Sequence, residues 1–288
     1  MLGPTRHLQH PPRGFVLLLT LVLLTLAALA MLAVSRAAMA RSQAADESVA
    51  ELQRRWGIFS CESVLLPNVD TFLRAAEKRT QRTLAYESLS IPLGNQRFDV
   101  TISDESAKAN VGQLMHVQGR EQAELTIRRL SLASPIAGEV HLRWGKRRGS
   151  PRPESFGDVF DHASAKSLCD NSTGPSIAET LTCWGDGRVN IHRAPESVIK
   201  EVCSPVLNYS QIHELASLQK SDPDISVPDA VARLQIPADK QAAAYELLTD
   251  IPTCFSLWIT CRSPRRVDTE LTIDERSGDG WILRLFDW

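Results

Sequence analysis

Between Gly14 and Ser35 the chain runs for 22 residues without a charged side chain, and leucine dominates the segment. As a helix rising about 1.5 Å per residue, it reaches across the ~30 Å hydrocarbon core of a bilayer. Three readings compete for this segment. A cleaved secretory signal has an apolar region of only about 7–15 residues, although Ala38-Met39-Ala40 offers a small-residue cleavage motif. A plain amino-terminal anchor would keep Arg6, Arg13 and the amino terminus on the inner side, with Arg36 and Arg41 blunting the asymmetry. The third reading starts from Arg13-Gly14-Phe15, a basic residue, a glycine and a phenylalanine set directly before the apolar run.

The helix is predicted to continue beyond the apolar run. "SRAAMARSQAADESVAELQRRW" has high helix propensity and holds neither Gly nor Pro before Gly57. Val49, Leu52, Trp56, Phe59 and Ser63-Val64 recur at steps of three and four, an amphipathic stripe. One helix, half in lipid and half packed on a soluble body, is the expected result. The heptad is not sustained, which disfavours a juxtamembrane coiled coil. Pro67 is expected to kink or restart the helix, with "VDTFLRAAEKR" carrying on from it.

The remainder alternates between strand and helix signals. Phe98, Val100 and Ile102 alternate with Asp99, Thr101 and Ser103, as in a half-buried strand, and Pro92-Leu93-Gly94-Asn95 turns the chain from a preceding one. "GQLMHVQGREQAELTIRRLSLAS" reads as helix, and residues 134–187 as loops with short helices. "DGRVNIHRAPESVIKEV" gives a short extended segment and a helix with Pro195 in its first turn. Three short helices follow in "YSQIHELASLQK", "VPDAVARLQI" and "DKQAAAYELL". Strands return in "CFSLWITCRS", "RVDTELTIDE" and "GWILRLFDW", with Ser277-Gly278-Asp279-Gly280 as a hairpin turn. A sheet that resumes after a long helical stretch implies an insertion into an α+β domain. The late strands must pair with those near 86–103 or with one another.

With these parts in place, the chain resembles the K-type minor pseudopilin of bacterial type II secretion over nearly its whole length. "RGFVLLLTLVLLTLAALAML" is similar to the leader junction and anchor of that family. "VTISDESAKANVGQL" resembles its strand ending in acidic residues and a K-x-N turn, here with Asp104, Lys108 and Asn110. "GRVNIHRAPESVI" resembles its segment leading into a helix, with Asn190 and Pro195 retained and His192 and Arg193 replacing the usual Asn and Thr.

The resemblance implies an α+β fold: a pilin-like long amino-terminal helix on an antiparallel sheet, with a large, mainly helical domain inserted between strands. It implies a leader over 1–14, a transmembrane helix over 15–35, a pilin-like domain over 36–111 and 251–288, and an inserted domain over 112–250. Prepilin peptidase would cleave between Gly14 and Phe15, and Phe15 would become N-methylated. Most pilins carry Glu at the fifth mature position; Leu19 stands there, as in K-type members, which suits a subunit that is first in the fibre. The implied partners are other minor pseudopilins, the peptidase and the inner membrane, with a single pass and the carboxy-terminal body in the periplasm.

Other function classes find little support. With 32 basic and 34 acidic residues the net charge is -2, which gives no global field for nucleic acid. "VNIHRAPESVIKEV" does resemble the first helix of helix-hairpin-helix modules, including membrane-anchored competence receptors. That class needs a Gly-x-Gly hairpin, whereas "CSPVLNYSQIHEL" contains no glycine, and residues 184–250 carry a net charge of about -4. The seven histidines show no H-E-x-x-H or ligand spacing, so no catalytic chemistry is expected. No cofactor is expected either; Asp158, Asp161 and Asp170 are weak calcium candidates whose spacing does not fit an EF-hand loop. Lys146, Arg147, Arg148 and Arg152 read as an exposed basic loop, and Asn171-Ser172-Thr173 as a formal glycosylation sequon. The six cysteines contain no CxxC; outside the cytoplasm one or two disulfides are expected, in a pairing that spacing does not reveal.

Overall fold

A computed structural model describes residues 13–132, 140–142, 153–161, 165–169, 176–262, 267–277 and 280–287. The chain divides into two units, Met1–Arg55 and Trp56–Trp288. The first is built on α1 (Arg13–Leu65), a 53-residue helix whose last turns belong to the second unit. Among the described residues it is the one helix long and apolar enough to cross a membrane. Within the first unit its apolar side chains are exposed from Phe15 to Met39. Near its end Glu51 pairs with both Arg54 (2.8 Å) and Arg55 (2.7 Å), the i,i+3 and i,i+4 ion pairs that helix geometry favours.

The second unit follows in order. A 3₁₀ turn, Leu66–Asn68, carries Pro67 and ends α1, and α2 (Val69–Thr80) restarts the helix, as the proline predicts. Next come β1 (Tyr86–Leu93), β2 (Gln96–Asp104), β3 (Ala109–Asn110), α3 (Val111–Gln118) and α4 (Arg120–Leu130). The segment predicted as one helix over 112–134 is therefore two. Gly119 at φ 78° breaks it, a left-handed conformation that glycine adopts without strain. Short α5 (Ala165–Leu168), α6 (Ile177–Thr180), β4 (Leu181–Thr182) and β5 (Val189–Asn190) lead to α7 (Glu196–Cys203), α8 (Tyr209–Ser221), α9 (Val227–Arg233) and α10 (Ala238–Leu247). The chain closes with β6 (Leu248–Thr249), β7 (Cys254–Arg262), β8 (Val267–Ser277) and β9 (Gly280–Asp287).

Five strands form one antiparallel sheet in the order β1-β2-β7-β8-β9. The late strands thus join the early ones, because β2 pairs along its length with β7, from Arg97 opposite Arg262 to Asp104 opposite Phe255. Between β2 and β7 the chain leaves this sheet and makes α3–α10 with two short parallel pairs, β3–β4 and β5–β6. The turn joining β1 and β2 uses Gly94 and Asn95, while Pro92 sits within the edge strand β1, where its missing N–H does no harm. For β8 and β9, Ser277 opposes Gly280, and the two residues between them lie outside the described ones.

Each sheet face has its own core. Phe98, Val100 and Ile102 of β2 and Phe255, Leu257, Ile259 and Cys261 of β7 pack with Ile58, Cys61 and Leu65 of α1 and Val69 and Leu73 of α2. The opposite face gives Trp258, Leu271 and Ile273 to a larger core shared with the helices of the inserted segment. This explains why "CFSLWITCR" is nearly continuously buried instead of alternating: β7 is the central strand and is covered on both sides.

The tightest approach is at Gly57. A Cβ there would lie 2.1 Å from Cζ of Phe98, whose ring is fully buried. Gly57→Ala should therefore destabilise the second unit by about 1–3 kcal/mol through overpacking, although alanine has the higher helix propensity. Thermal unfolding followed by circular dichroism checks this; an unchanged or raised midpoint would refute the close contact.

Candidate functional site

Two groups of side chains are candidates, one on α1 and one buried beside the sheet. On α1, Gly14 and Phe15 occupy the first turn, with Phe15 and Leu19 exposed and no atom within 4 Å of the position a Cβ on Gly14 would take. Further along, the structure corrects the expectation for the amphipathic stripe. Trp56, Phe59 and Val64 do not pack on the sheet, and Val49 and Leu52 are exposed as well. Trp56 is 61% exposed and Phe59 58%, and these two rings meet edge to face at 6.0 Å. Ile58, Cys61 and Leu65 make the contact with the sheet instead. At about 100° per residue the two sets lie roughly 175° apart, on opposite sides of the helix. The end of α1 therefore has two apolar faces, and only one of them is covered. The sequence displays both; the longer stripe masked the shorter one.

The second group gathers four of the five internal motif residues in buried surroundings. Asp104 ends β2 at 0% exposure; its carboxylate accepts from the backbone N–H of Ser106 (2.9 Å) and from Nδ2 of Asn190 (2.7 Å). Asn190 is held in β5 by pairing with β6, and its Oδ1 accepts from the N–H of His192 (3.0 Å). Asn110 caps α3: Oδ1 accepts from the N–H of Gln113 (3.0 Å), and Nδ2 donates to the carbonyl of Trp184 (2.7 Å). Lys108 is fully buried against Glu105, whose Oε1 also accepts from Ser103 and Ser256 hydroxyls. The fifth, Pro195, stands at the N-cap of α7 with φ -59°.

Arg193 links this network to α2. Its guanidinium lies 2.8 Å from Asp70, 3.0 Å from Glu77 and 3.5 Å from Asp104, and its side chain is only 5% exposed. The sequence comparison singled out Arg193 only as a departure, and it missed the partners. Asp70 and Glu77 are seven residues apart, two turns on one helix face, which is the available signal. Burial pushes the Asp104 carboxyl up, outweighing the pull of Arg193, Asn190 and Ser106, to about 6. Burial also lowers the His192 imidazole, whose Nδ1 is buried without a hydrogen-bond partner.

The remaining candidates are engaged in local structure. Asp158 accepts from the backbone N–H groups of Glu154 (3.1 Å) and Ser155 (3.2 Å), closing a capping box. Asp161 lies 3.5 Å from His141. Asp170, the basic loop at 146–152 and the sequon at 171–173 lie outside the described residues. Among the described residues no group of three His, Cys, Asp or Glu side chains is placed to hold a metal ion. Between α7 and α8, Ser204–Asn208 contains no glycine for a phosphate-binding hairpin.

No family model matches the chain, and no curated protein matches it. Among solved structures it is similar to a chain in the crystal structure of the GspK-GspI-GspJ complex from the enterotoxigenic Escherichia coli type 2 secretion system. The identity is 16% and the TM-score 0.47, and the match covers 84% of this chain and 99% of that one.

The buried carboxyl makes a pH prediction. Raised from 3.8 to about 6, Asp104 binds its proton more tightly in the folded state. Its contribution is complete below about pH 3.8 and is lost as pH rises through 6, by about 3 kcal/mol in all. Relative to an Asp104→Asn variant, wild type should lose about 2 kcal/mol between pH 4.5 and 7.5. Urea unfolding of both proteins at several pH values measures this, and parallel stability curves would count against it.

Proposed function

We propose that this chain is a minor pseudopilin of a type II secretion system, of the K type, anchored in the inner membrane with its body in the periplasm. The observation that carries this reading is the second apolar face of α1. An isolated anchored protein has no use for Val49, Leu52, Trp56, Phe59 and Val64 in water just past its uncharged segment. Sister helices carrying similar stripes would cover that face. The Arg13-Gly14-Phe15 junction supports the same reading, as a site where prepilin peptidase removes the leader and leaves Phe15 to be N-methylated. Leu19 in place of a carboxylate suits a subunit with no earlier neighbour to dock on, since a charge inside the bilayer is costly unless paired. The bulk between β2 and β7 would hinder further subunits from stacking above it and so cap the pseudopilus. On this reading the protein works by recognition and has no chemistry of its own. The absence of a glycine hairpin after α7, with the acidic balance of residues 184–250, leaves the DNA-receptor alternative without a binding surface.

Two experiments test the proposal. Gly14→Leu meets open space in the fold, so a defect would reflect recognition rather than packing. The expected product is full-length precursor at normal membrane levels, seen by mass spectrometry of the amino terminus. Normal cleavage before Phe15 would reject the role of the glycine. Trp56→Ser combined with Phe59→Ser removes exposed rings only, so the melting temperature should hold while co-purification of sister pseudopilins drops at least about tenfold. Undiminished co-purification would remove the stripe from the interface.

A further inference from the structure

Between residues 14 and 45 the only charged side chains are Arg36 and Arg41, and the first acid after them is Asp46. Both arginines are exposed on α1. An ion pair along a helix needs its partner three or four residues away. At those spacings both arginines meet only alanine, leucine and methionine, so the helix offers neither of them a carboxylate. Arg54 and Arg55, further along, are both held by Glu51, and no such contact forms at Arg36 or Arg41 among the described residues. The place of the pair on the helix selects a partner. Residues 14–35 rise about 33 Å, close to the ~30 Å hydrocarbon core, and headgroups extend a bilayer to about 40–45 Å. Within that segment Thr20 and Thr25 donate to the carbonyls of Leu17 (2.9 Å) and Val22 (2.8 Å), which satisfies their hydroxyls without water. Arg36 is the next residue after the segment, at the level of lipid phosphates. Arg41 lies about 7.5 Å further, a distance its long side chain can span back.

We propose that Arg36 and Arg41 form a basic collar that binds anionic phospholipid headgroups in the leaflet on the side of the folded body. The inference rests on the membrane-anchored reading above and adds a lipid partner to it. Guanidinium groups donate charge-assisted hydrogen bonds to phosphate, often two at once. A zwitterionic headgroup carries its own cation beside the phosphate, whereas an anionic one leaves that charge for the arginines. The angle between the two side chains favours lipid over protein. Five residues turn a helix by about 140°, so the arginines leave it in different directions. One neighbouring helix meets one face and reaches one arginine; headgroups surround the helix and reach both. Cations on this side also run against the bias that keeps arginine and lysine on the inner side of a span. A counter-charge in the same leaflet offsets that disadvantage. Pairing at both positions fixes the depth of the span, which holds the exposed stripe, starting about 12 Å beyond Arg41, clear of the headgroups.

The full chain, reconstituted in phosphatidylcholine vesicles, is given a trace of spin-labelled phosphatidylglycerol or, in parallel, spin-labelled phosphatidylcholine. Electron paramagnetic resonance reads the share of each lipid held at the protein. Phosphatidylglycerol should be preferred about two- to fivefold near 0.1 M salt, and less at 1 M. Arg36→Gln/Arg41→Gln should lose at least half of that preference, whatever Arg6 and Arg13 contribute, while Arg36→Lys/Arg41→Lys should keep it. Circular dichroism should not change, because glutamine, lysine and arginine have similar helix propensities. Equal preference in wild type and the glutamine variant overturns the proposal. So does unchanged preference together with a loss of co-purifying sister pseudopilins, which would give the arginines to a partner helix. In both of those results the chain stays in the membrane. Release of the wild type by alkaline carbonate is a different failure, since it would refute the anchored reading and this inference with it.

Discussion

The contact on which the rest of the second unit turns is the approach of α1 to β2, where a glycine lets the helix rest on the Phe98 ring. Any side chain at position 57 would lift the helix, because the ring is enclosed and has nowhere to go. That one contact sets which residues of α1 meet the sheet. Ile58, Cys61 and Leu65 turn inward, and Trp56 and Phe59 turn to solvent. Glu62, between the two faces, accepts from the hydroxyl of Thr272 on β8 and so holds the helix against a further strand.

A different constraint governs the place where the chain leaves the sheet. The end of β2 carries two carboxylates that no longer face water, Asp104 and Glu105. An isolated buried carboxylate is prohibitively costly, so each must find cations and donors. Glu105 uses Lys108 and two hydroxyls; Asp104 uses Asn190, a backbone amide and Arg193. Those partners come from β2 itself, the next turn, β5, β7 and the segment before α7, while Arg193 reaches on to Asp70 and Glu77 of α2. Such a network adds little net stability compared with apolar packing, but breaking one member leaves an uncompensated charge. Its effect is to specify one arrangement of residues far apart in sequence.

Much of this was legible in the residues, and the failures have physical causes. Strand alternation at Phe98, Val100 and Ile102, the restart after Pro67 and the helix-strand order behind the α+β assignment all follow from periodicity and from proline chemistry, which are local. The break at Gly119 was missed because a glycine inside an otherwise helical pattern is often tolerated, and only the positive φ reveals the turn. The short parallel pairs β3–β4 and β5–β6 leave no periodic trace, since two residues cannot show a period. Asp104, Lys108, Asn110 and Asn190 were found through resemblance, which could not say that they are structural and buried. Arg193, which reaches Asp104, lies more than one hundred residues from its other partners Asp70 and Glu77, and no local pattern joins it to them.

The stripe on α1 shows how a wrong expectation can carry the functional argument. Sequence periodicity counts apolar positions but does not say which neighbour they meet. When a helix bears two apolar faces, the fold can use only one. The one it uses here is the less conspicuous, with an isoleucine, a cysteine and a leucine, while a tryptophan and a phenylalanine stay exposed. A buried aromatic side chain covers roughly 150–250 Å², and apolar burial is worth about 25 cal/mol per Å². Leaving these two rings more than half in water therefore forgoes roughly 3 kcal/mol each. A sequence under pressure for stability or solubility alone would not place them there, on the same helix as a segment apolar and long enough to cross a bilayer. The arrangement is self-consistent if lipid surrounds the first part of α1 and neighbouring helices of the same kind surround the second.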